Sequence, residues 1–321
     1  MTEINSVTTL TQDGDVAVIT LNSPPVNALS AKVREGLFEG FKAAIASPAK
    51  AIVLICEGRT FIAGADITEF GGAMAGPSLF DVQEMMENAP KPVIAAIHGT
   101  ALGGGLEVAL CAHYRVAVPS ARVGLPEVAL GLLPGAGGTQ RLPRIVGVEA
   151  ALDMVTSGRH VPAKQALSMG LVDELAEEGK LKEAAVACAH KAAAEGKPLV
   201  KVRENNAKLE AAKGHPEIFA EFRKANARKF RGFAAPEANI KCIEAAVNSS
   251  SFEEGLKAER KLFGELMMGQ QSAAQRYYFF AERQANKIPD VPDDTPVRPI
   301  KKVGIIGAGT MGGGIAMNFA N

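Results

Sequence analysis

Two glutamates stand where a carboxylate would do chemistry. Glu107 follows the glycine cluster Gly103-Gly104-Gly105 by two positions and is flanked by Leu106, Val108, Ala109 and Leu110. Glu127 lies between Pro126 and Val128 in a second apolar, glycine-punctuated run, RVGLPEVALGLLPGAGGTQRLP (122–143). A carboxyl group among apolar neighbours loses hydration, and its pKa rises. Two such groups make a candidate acid/base pair. Either glutamate alone would equally suit a surface position, and it is their coincidence with the two glycine segments that singles them out. The sequence does not say that the two side chains meet. Glycines opening a helix can also present bare backbone N–H groups to a developing negative oxygen. The same glycines suit a helix packed closely on a sheet, with no ligand involved. A third segment of this kind is FIAGADI (61–67), with Gly64 between two alanines.

These segments need a scaffold, and the hydrophobic pattern supplies one. Val7–Leu10 and Val16–Leu21 predict two strands joined at Asp13-Gly14. Ser30 is placed to cap a helix with Val33, Leu37, Phe41 and Ile45 on one stripe. AIVLICEG (51–58) predicts a buried strand, and Leu79, Val82, Met85 and Met86 an amphipathic helix ending at Pro90. Val93–Ile97 and Tyr114–Val118 predict further strands. Strands alternating with helices predict an α/β fold with a largely parallel sheet. From about residue 178 the stretches 178–196, 203–230, 236–268 and 271–287 are rich in Ala, Lys, Glu, Arg and Leu, and predict helices. IPDVPDDTPVRP (288–299) predicts an extended linker. After it Val303–Ile306 predicts a strand leading into Gly307, Gly309 and Gly312, the spacing of a dinucleotide-binding turn.

Composition narrows the function classes. The 321 residues suggest about two domains of ~150 residues. Lys plus Arg equals Asp plus Glu at 35 each, which argues against nucleic acid or an anionic membrane as the main partner. Aromatics are only 5% and Trp is absent, which argues against a base-stacking surface. Cys56, Cys111, Cys188 and Cys242 form no CxxC pair and predict free thiols in a reducing compartment. The histidines show no metal-ligand spacing, so no metal site is expected. No stretch predicts membrane insertion, and the start has neither the basic nor the apolar region of a secretory signal.

FIAGADI, ALGGGLE and GLPEVALGLLPGAGGTQRL, in this order, resemble the crotonase (enoyl-CoA hydratase/isomerase) superfamily over about residues 6–190. The rest, including YYFFAERQANK (277–287) and GIIGAGTMGGGIA (304–316), resembles multifunctional fatty-acid β-oxidation enzymes of peroxisomes and bacteria, in which a 3-hydroxyacyl-CoA dehydrogenase follows. The resemblance implies a ClpP/crotonase-like ββα spiral core over 1–190 and a helical extension covering the acyl-CoA site over 191–287. It also implies the linker 288–299 and, over 300–321, the truncated first strand and turn of a Rossmann domain. It implies an enoyl-CoA hydratase with Δ3-Δ2-enoyl-CoA isomerase activity: an oxyanion hole from the N–H groups of Ala65 and Gly104, Glu107 as the base for water, and Glu127 as the acid. Ala63, Asp66 and Gly135 are implied at the substrate site, as are Phe279, Phe280, Arg283 and Lys287 on a covering helix. An ordinary core and solvated face would explain the last four as well. Hydration needs no cofactor. NAD would serve only the dehydrogenase part, held by Gly307, Gly309 and Gly312, and the acidic residue such sites carry about 20 positions on is missing here. The resemblance favours a monomer over the trimer common among crotonases, and a cytoplasmic location in a bacterium or a peroxisomal one in a eukaryote. Competing expectations are an NAD-dependent dehydrogenase in a longer parent chain and a non-catalytic acyl-CoA-binding module.

Overall fold

The computed structural model describes residues 1–69, 75–196, 198–285, 287–292 and 294–320. Among the described residues ten strands fall in two sheets. In the larger, β1 (Thr2–Asn5), β2 (Thr8–Asp13) and β3 (Val16–Leu21) are antiparallel, with Gly14 at a φ of 59° in the β2–β3 turn. The sheet continues in parallel through β4 (Ala51–Cys56), β5 (Val93–Ile97), β7 (Tyr114–Ala117) and β10 (Glu174–Leu175). The smaller sheet joins β6 (Thr100–Leu102), β8 (Arg122–Gly124) and β9 (Val161–Pro162). The expected mixed but largely parallel α/β arrangement is therefore present. β4 and β5 are apolar throughout because they pair on both sides and are buried.

Thirteen helices are described. α1 (Ala31–Ala46) starts where Ser30 Oγ accepts from Val33 N–H, and buries Val33, Leu37, Phe41 and Ala44 against β2 and β3. α2 (Leu79–Glu87) begins with a reciprocal cap between Ser78 and Asp81. α3 (Gly104–Ala109), α4 (Gly138–Val146), α5 (Val148–Ser157) and α6 (Ala163–Ser168) follow, and α7 (Leu181–Glu195) lies against β4, β5 and β7.

The predicted helix over 203–230 is instead a 3-10 turn (Val202–Glu204), α8 (Ala207–Glu210) and α9 (Glu217–Phe230). Gly214, at a φ of 81°, and Pro216, at the start of α9, break it. The predicted 236–268 helix is α10 (Ala235–Asn248) and α11 (Phe252–Met267). The serines 249–251 divide them because Ser251 turns its side chain to cap Glu254 N–H. α12 (Gln270–Ala285) and α13 (Thr310–Ala320) complete the set.

The chain forms two compact units, Met1–Tyr277 and Tyr278–Asn321. The first extends beyond residue 190 because α10 packs on α4 and α5, and α11 packs on α4. In the second, the strand expected at Val303–Ile306 is not formed: among the described residues it pairs with no other strand. A strand is stabilised by ladder partners, and apolar character alone does not hold it. Val303, Ile305 and Ile306 are exposed. Cys56, Cys111 and Cys242 are buried free thiols, and Cys188 is a half-buried one. Among the described residues no helix is long and apolar enough to cross a membrane.

Candidate active site

The FIAGADI segment leaves β4 as an extended loop held at both ends. Leu102 N–H donates to Ile62 O at 3.0 Å, and Leu29 N–H donates to Gly64 O at 2.9 Å. Gly64 takes a φ of 124°, which only glycine adopts without strain. The buried Arg34 guanidinium pins the far side, donating to Leu29 O (2.8 Å), Ala75 O (3.0 Å) and Pro77 O (3.0 Å) and pairing with Glu69 (2.8 Å). With these bonds made elsewhere, the Ala65 N–H is left over among the described residues.

The Gly103–Gly105 cluster has three separate jobs. Gly103 (φ 52°) turns β6 into α3 while its N–H donates to Gly124 O at 2.9 Å. Gly105 lies so close to the preceding loop that a Cβ there would come 2.1 Å from Ile62 O. A Cβ on Gly104 would lie 3.6 Å from the Ala65 nitrogen. Among the described residues neither Ala65 N–H nor Gly104 N–H donates a hydrogen bond. The fold thus brings two unused backbone donors side by side, and Ala65 itself is exposed. Such a pair can stabilise negative charge on an oxygen without reorganising.

Both glutamates converge on this place, in unlike surroundings. Glu107 is 3% exposed, and its Oε1 accepts from Ala136 N–H and Gly138 N–H, both at 2.8 Å. Burial raises its pKa, while the two N–H donors and the nearby Arg141 pull it back down. Glu127 starts a 3-10 turn (Glu127–Leu130) ended by Gly131 at a φ of 67°. Its Oε1 would be 3.0 Å from a Cβ on Gly103. The residue is half-buried overall, yet its Oε2 is fully shielded and has no hydrogen-bond partner among the described residues. Burial, then the charge of Glu107, push the Glu127 carboxyl well above the ordinary carboxylate range. Both carboxyls are thus raised by burial, but donors favour the anion at Glu107 while among the described residues none does so at the Glu127 Oε2.

The remaining expected positions divide. Ala63 and Gly135 are half-buried near this centre, and a Cβ on Gly135 would strike the Phe263 ring at 2.6 Å. Asp66 turns to its own loop, its Oδ1 accepting from Thr68 N–H (3.0 Å) and Thr68 Oγ1–H (2.6 Å). Phe279, Phe280, Arg283 and Lys287 belong to the second unit. There Phe279 and Phe280 meet edge to face at 5.5 Å, and Arg283 lies over the Phe279 ring at 3.2 Å. Asn286, in the same YYFFAERQANK run, and Asp293 of the linker lie outside the described residues.

Gly307 (φ 102°) and Gly312 do make a tight turn into α13, since a Cβ on Gly312 would lie 1.9 Å from Gly307 O. Without a sheet beside 303–306 there is no crevice for a dinucleotide. The residues described do not fit NAD, and no step is assigned to it.

Three further residues belong to the site, Gln83 and Glu259 outside the motifs and Arg141 inside GLPEVALGLLPGAGGTQRL. Gln83 on α2 donates to Ala136 O at 2.8 Å and to Glu107 O at 3.3 Å. Arg141 forms a two-pronged buried pair with Glu87 at 2.7 and 2.8 Å. Glu259 on α11 is 0% exposed and accepts from Gly137 N–H at 2.6 Å. Its signal in the sequence is a charge on the stripe Phe252, Gly255, Glu259 and Phe263, where apolar or small residues otherwise repeat.

A family model described as enoyl-CoA hydratase/isomerase matches residues 11–261. The chain belongs to that family. It is 44% identical over 310 residues to the peroxisomal bifunctional enzyme of Danio rerio and 42% identical over 312 residues to that of Homo sapiens. Each match takes in 95% of this chain, but the chain spans only 42% of the length of either relative. Among solved structures, carnitinyl-CoA hydratase from Mycobacterium avium superposes with a TM-score of 0.63 at 27% identity, over 87% of this chain and 97% of that one. DspI of Pseudomonas aeruginosa superposes with a TM-score of 0.56 at 31% identity, over 72% and 98%. The core is therefore a crotonase fold with a helical C-terminal region.

Proposed function

We propose that this chain adds water across the double bond of a 2-trans-enoyl-CoA to give the 3-hydroxyacyl-CoA of fatty-acid β-oxidation, and that it also isomerises Δ3-enoyl-CoA to the Δ2 form. The observation that carries this reading is the pair of unused N–H donors on Ala65 and Gly104 beside two glutamates, one held by backbone donors and the other with a shielded, unpartnered Oε2 among the described residues. The thioester oxygen accepts from both donors, which draws electrons from C3 and lets C2 carry charge. Glu107, as carboxylate, takes a proton from water while the water oxygen bonds to C3. Glu127, protonated, delivers its proton to C2. One proton passed from Glu107 to Glu127 restores the site. In isomerisation Glu127 is the group that carries the proton between carbons.

No cofactor enters these steps. The substrate is an acyl-CoA thioester, with Ala63, Asp66 and Gly135 on the loops nearest it. The packing of α10 and α11 on the catalytic segments within one chain supports a monomer, and the names of the curated relatives support a peroxisomal location in a eukaryotic source.

The test is steady-state hydration of a 2-trans-enoyl-CoA by Glu107→Gln and Glu127→Gln. Each should lower kcat by about 10²–10⁴-fold, with the melting temperature kept. Near-normal turnover in both folded variants would remove the roles assigned to the glutamates, whereas no hydration by the unaltered chain would favour the acyl-CoA-binding module.

A further inference from the structure

Glu259 is a fully buried carboxylate that the proposed chemistry does not use. It reaches the site from α11, outside the segments that carry the two reacting glutamates, and its contacts alternate with theirs. Along the turn Gly135–Thr139, Ala136 N–H and Gly138 N–H point to Glu107 Oε1. Gly137 N–H points to Glu259 Oε1 at 2.6 Å, Thr139 N–H to Glu259 Oε2 at 3.1 Å, and the Thr139 hydroxyl also donates to Oε2.

Peptide planes are rigid, so the turn can change shape only at its φ and ψ angles. Glu259 fixes the planes 136–137 and 138–139. The plane between them carries the Gly138 N–H that holds Glu107. Gly137, at a φ of 85°, is the soft joint of this turn, and Glu259 grips its nitrogen. The stripe that carries Glu259 also sets Gly255 against Gln140 and the Phe263 ring against Gly135, so α11 seats the whole turn.

We propose that Glu259 is a positioning residue for hydration: it holds the 136–139 peptides in the orientation from which they grip Glu107. This rests on Glu107 being a reacting group. An anchor that merely attached α11 would lower stability without acting through Glu107, and a double-mutant cycle in kcat separates the two.

The measurements are kcat and KM for 2-trans-enoyl-CoA hydration in the full chain, Glu259→Gln and Glu107→Gln, and in the double variant, with melting temperatures alongside. Glutamine keeps the shape of Glu259 but loses an acceptor toward Thr139. Glu259→Gln should lower kcat about tenfold or more with KM within about twofold, and should cost less than about twofold in the Glu107→Gln background. Thr139→Val, which removes the hydroxyl that donates to Glu259 and accepts from Gln140 Nε2 but keeps the backbone donors, should give a smaller effect with the same dependence on Glu107, and it decides the matter should Glu259→Gln not fold. Equal losses in both backgrounds, or full kcat in Glu259→Gln, would overturn the proposal. Near-normal turnover in Glu107→Gln would instead overturn the proposed function on which it rests.

Discussion

At the residue scale the candidate site gives two chemically identical side chains different surroundings. Glu107 is buried but receives two N–H donors, which favours its charged form. Glu127 is shielded with a free Oε2 beside a charged neighbour, which favours its neutral form. Hydration needs the first ionised and the second protonated. Activity is therefore lost as pH falls through the pKa of the base and lost again as pH rises through that of the acid, the two limbs being properties of the coupled pair. Replacing Glu107 by Gln removes the negative charge that is the second cause, after burial, of the raised Glu127 pKa. The alkaline limb of the residual kcat/KM should then move to lower pH. A pH–rate profile of Glu107→Gln measures this, and a limb that stayed or moved up would contradict it. Both glutamates were legible in the sequence because each broke an apolar run next to glycines. Glu259 was not, because its meaning depends on a contact with a turn some 120 positions away.

At the element scale, what positions the site is a set of short segments fastened by buried polar groups. Arg34 ties the loop after FIAGADI, Gln83 ties α2 to the 136 peptide, and Arg141 of α4 pairs with Glu87 of α2. The Glu87 and Arg141 side chains are 1% and 4% exposed, so removing one leaves the other charged and buried. Glu87→Ala should cost about 3–5 kcal/mol of stability, read by chemical denaturation; a loss below ~1 kcal/mol, the range of surface pairs, would contradict the assigned role. The strands β2 to β5 and helices α1 and α2 were legible because β-rich and continuous apolar runs, helical apolar stripes and the Ser30 cap are local signals. The short strands β6, β8 and β9 were not, since two or three residues carry no period. The break at 249–251 was hidden because its serines sit between two good helical stretches and act only through the Ser251 cap.

At the scale of the whole molecule, the two-domain expectation from length resolves into one large unit to Tyr277 and a small one beyond it. The boundary expected at 190 followed the family motifs, whereas the packing of α10 and α11 on α4 follows side chains that only the folded chain brings together. Beyond α12 the residues described up to Gly309 form no helix or strand and are exposed. Lys287, Lys301 and Lys302 offer trypsin three sites there, while Arg298 is protected by the following Pro299. Limited proteolysis should cut this stretch first and leave a large fragment with full hydration activity; early cleavage within 1–277 would contradict the division. The central claim joins all three scales: one oxygen held by Ala65 and Gly104, with Glu107 and Glu127 on either side of C2 and C3. A crystal structure with a slowly reacting acyl-CoA bound tests it most directly. The thioester oxygen should lie about 2.7–3.1 Å from both the Ala65 and Gly104 nitrogens, with the two carboxylates facing C2 and C3. A thioester oxygen bound away from these two nitrogens, or glutamates facing away from the double bond, would contradict it.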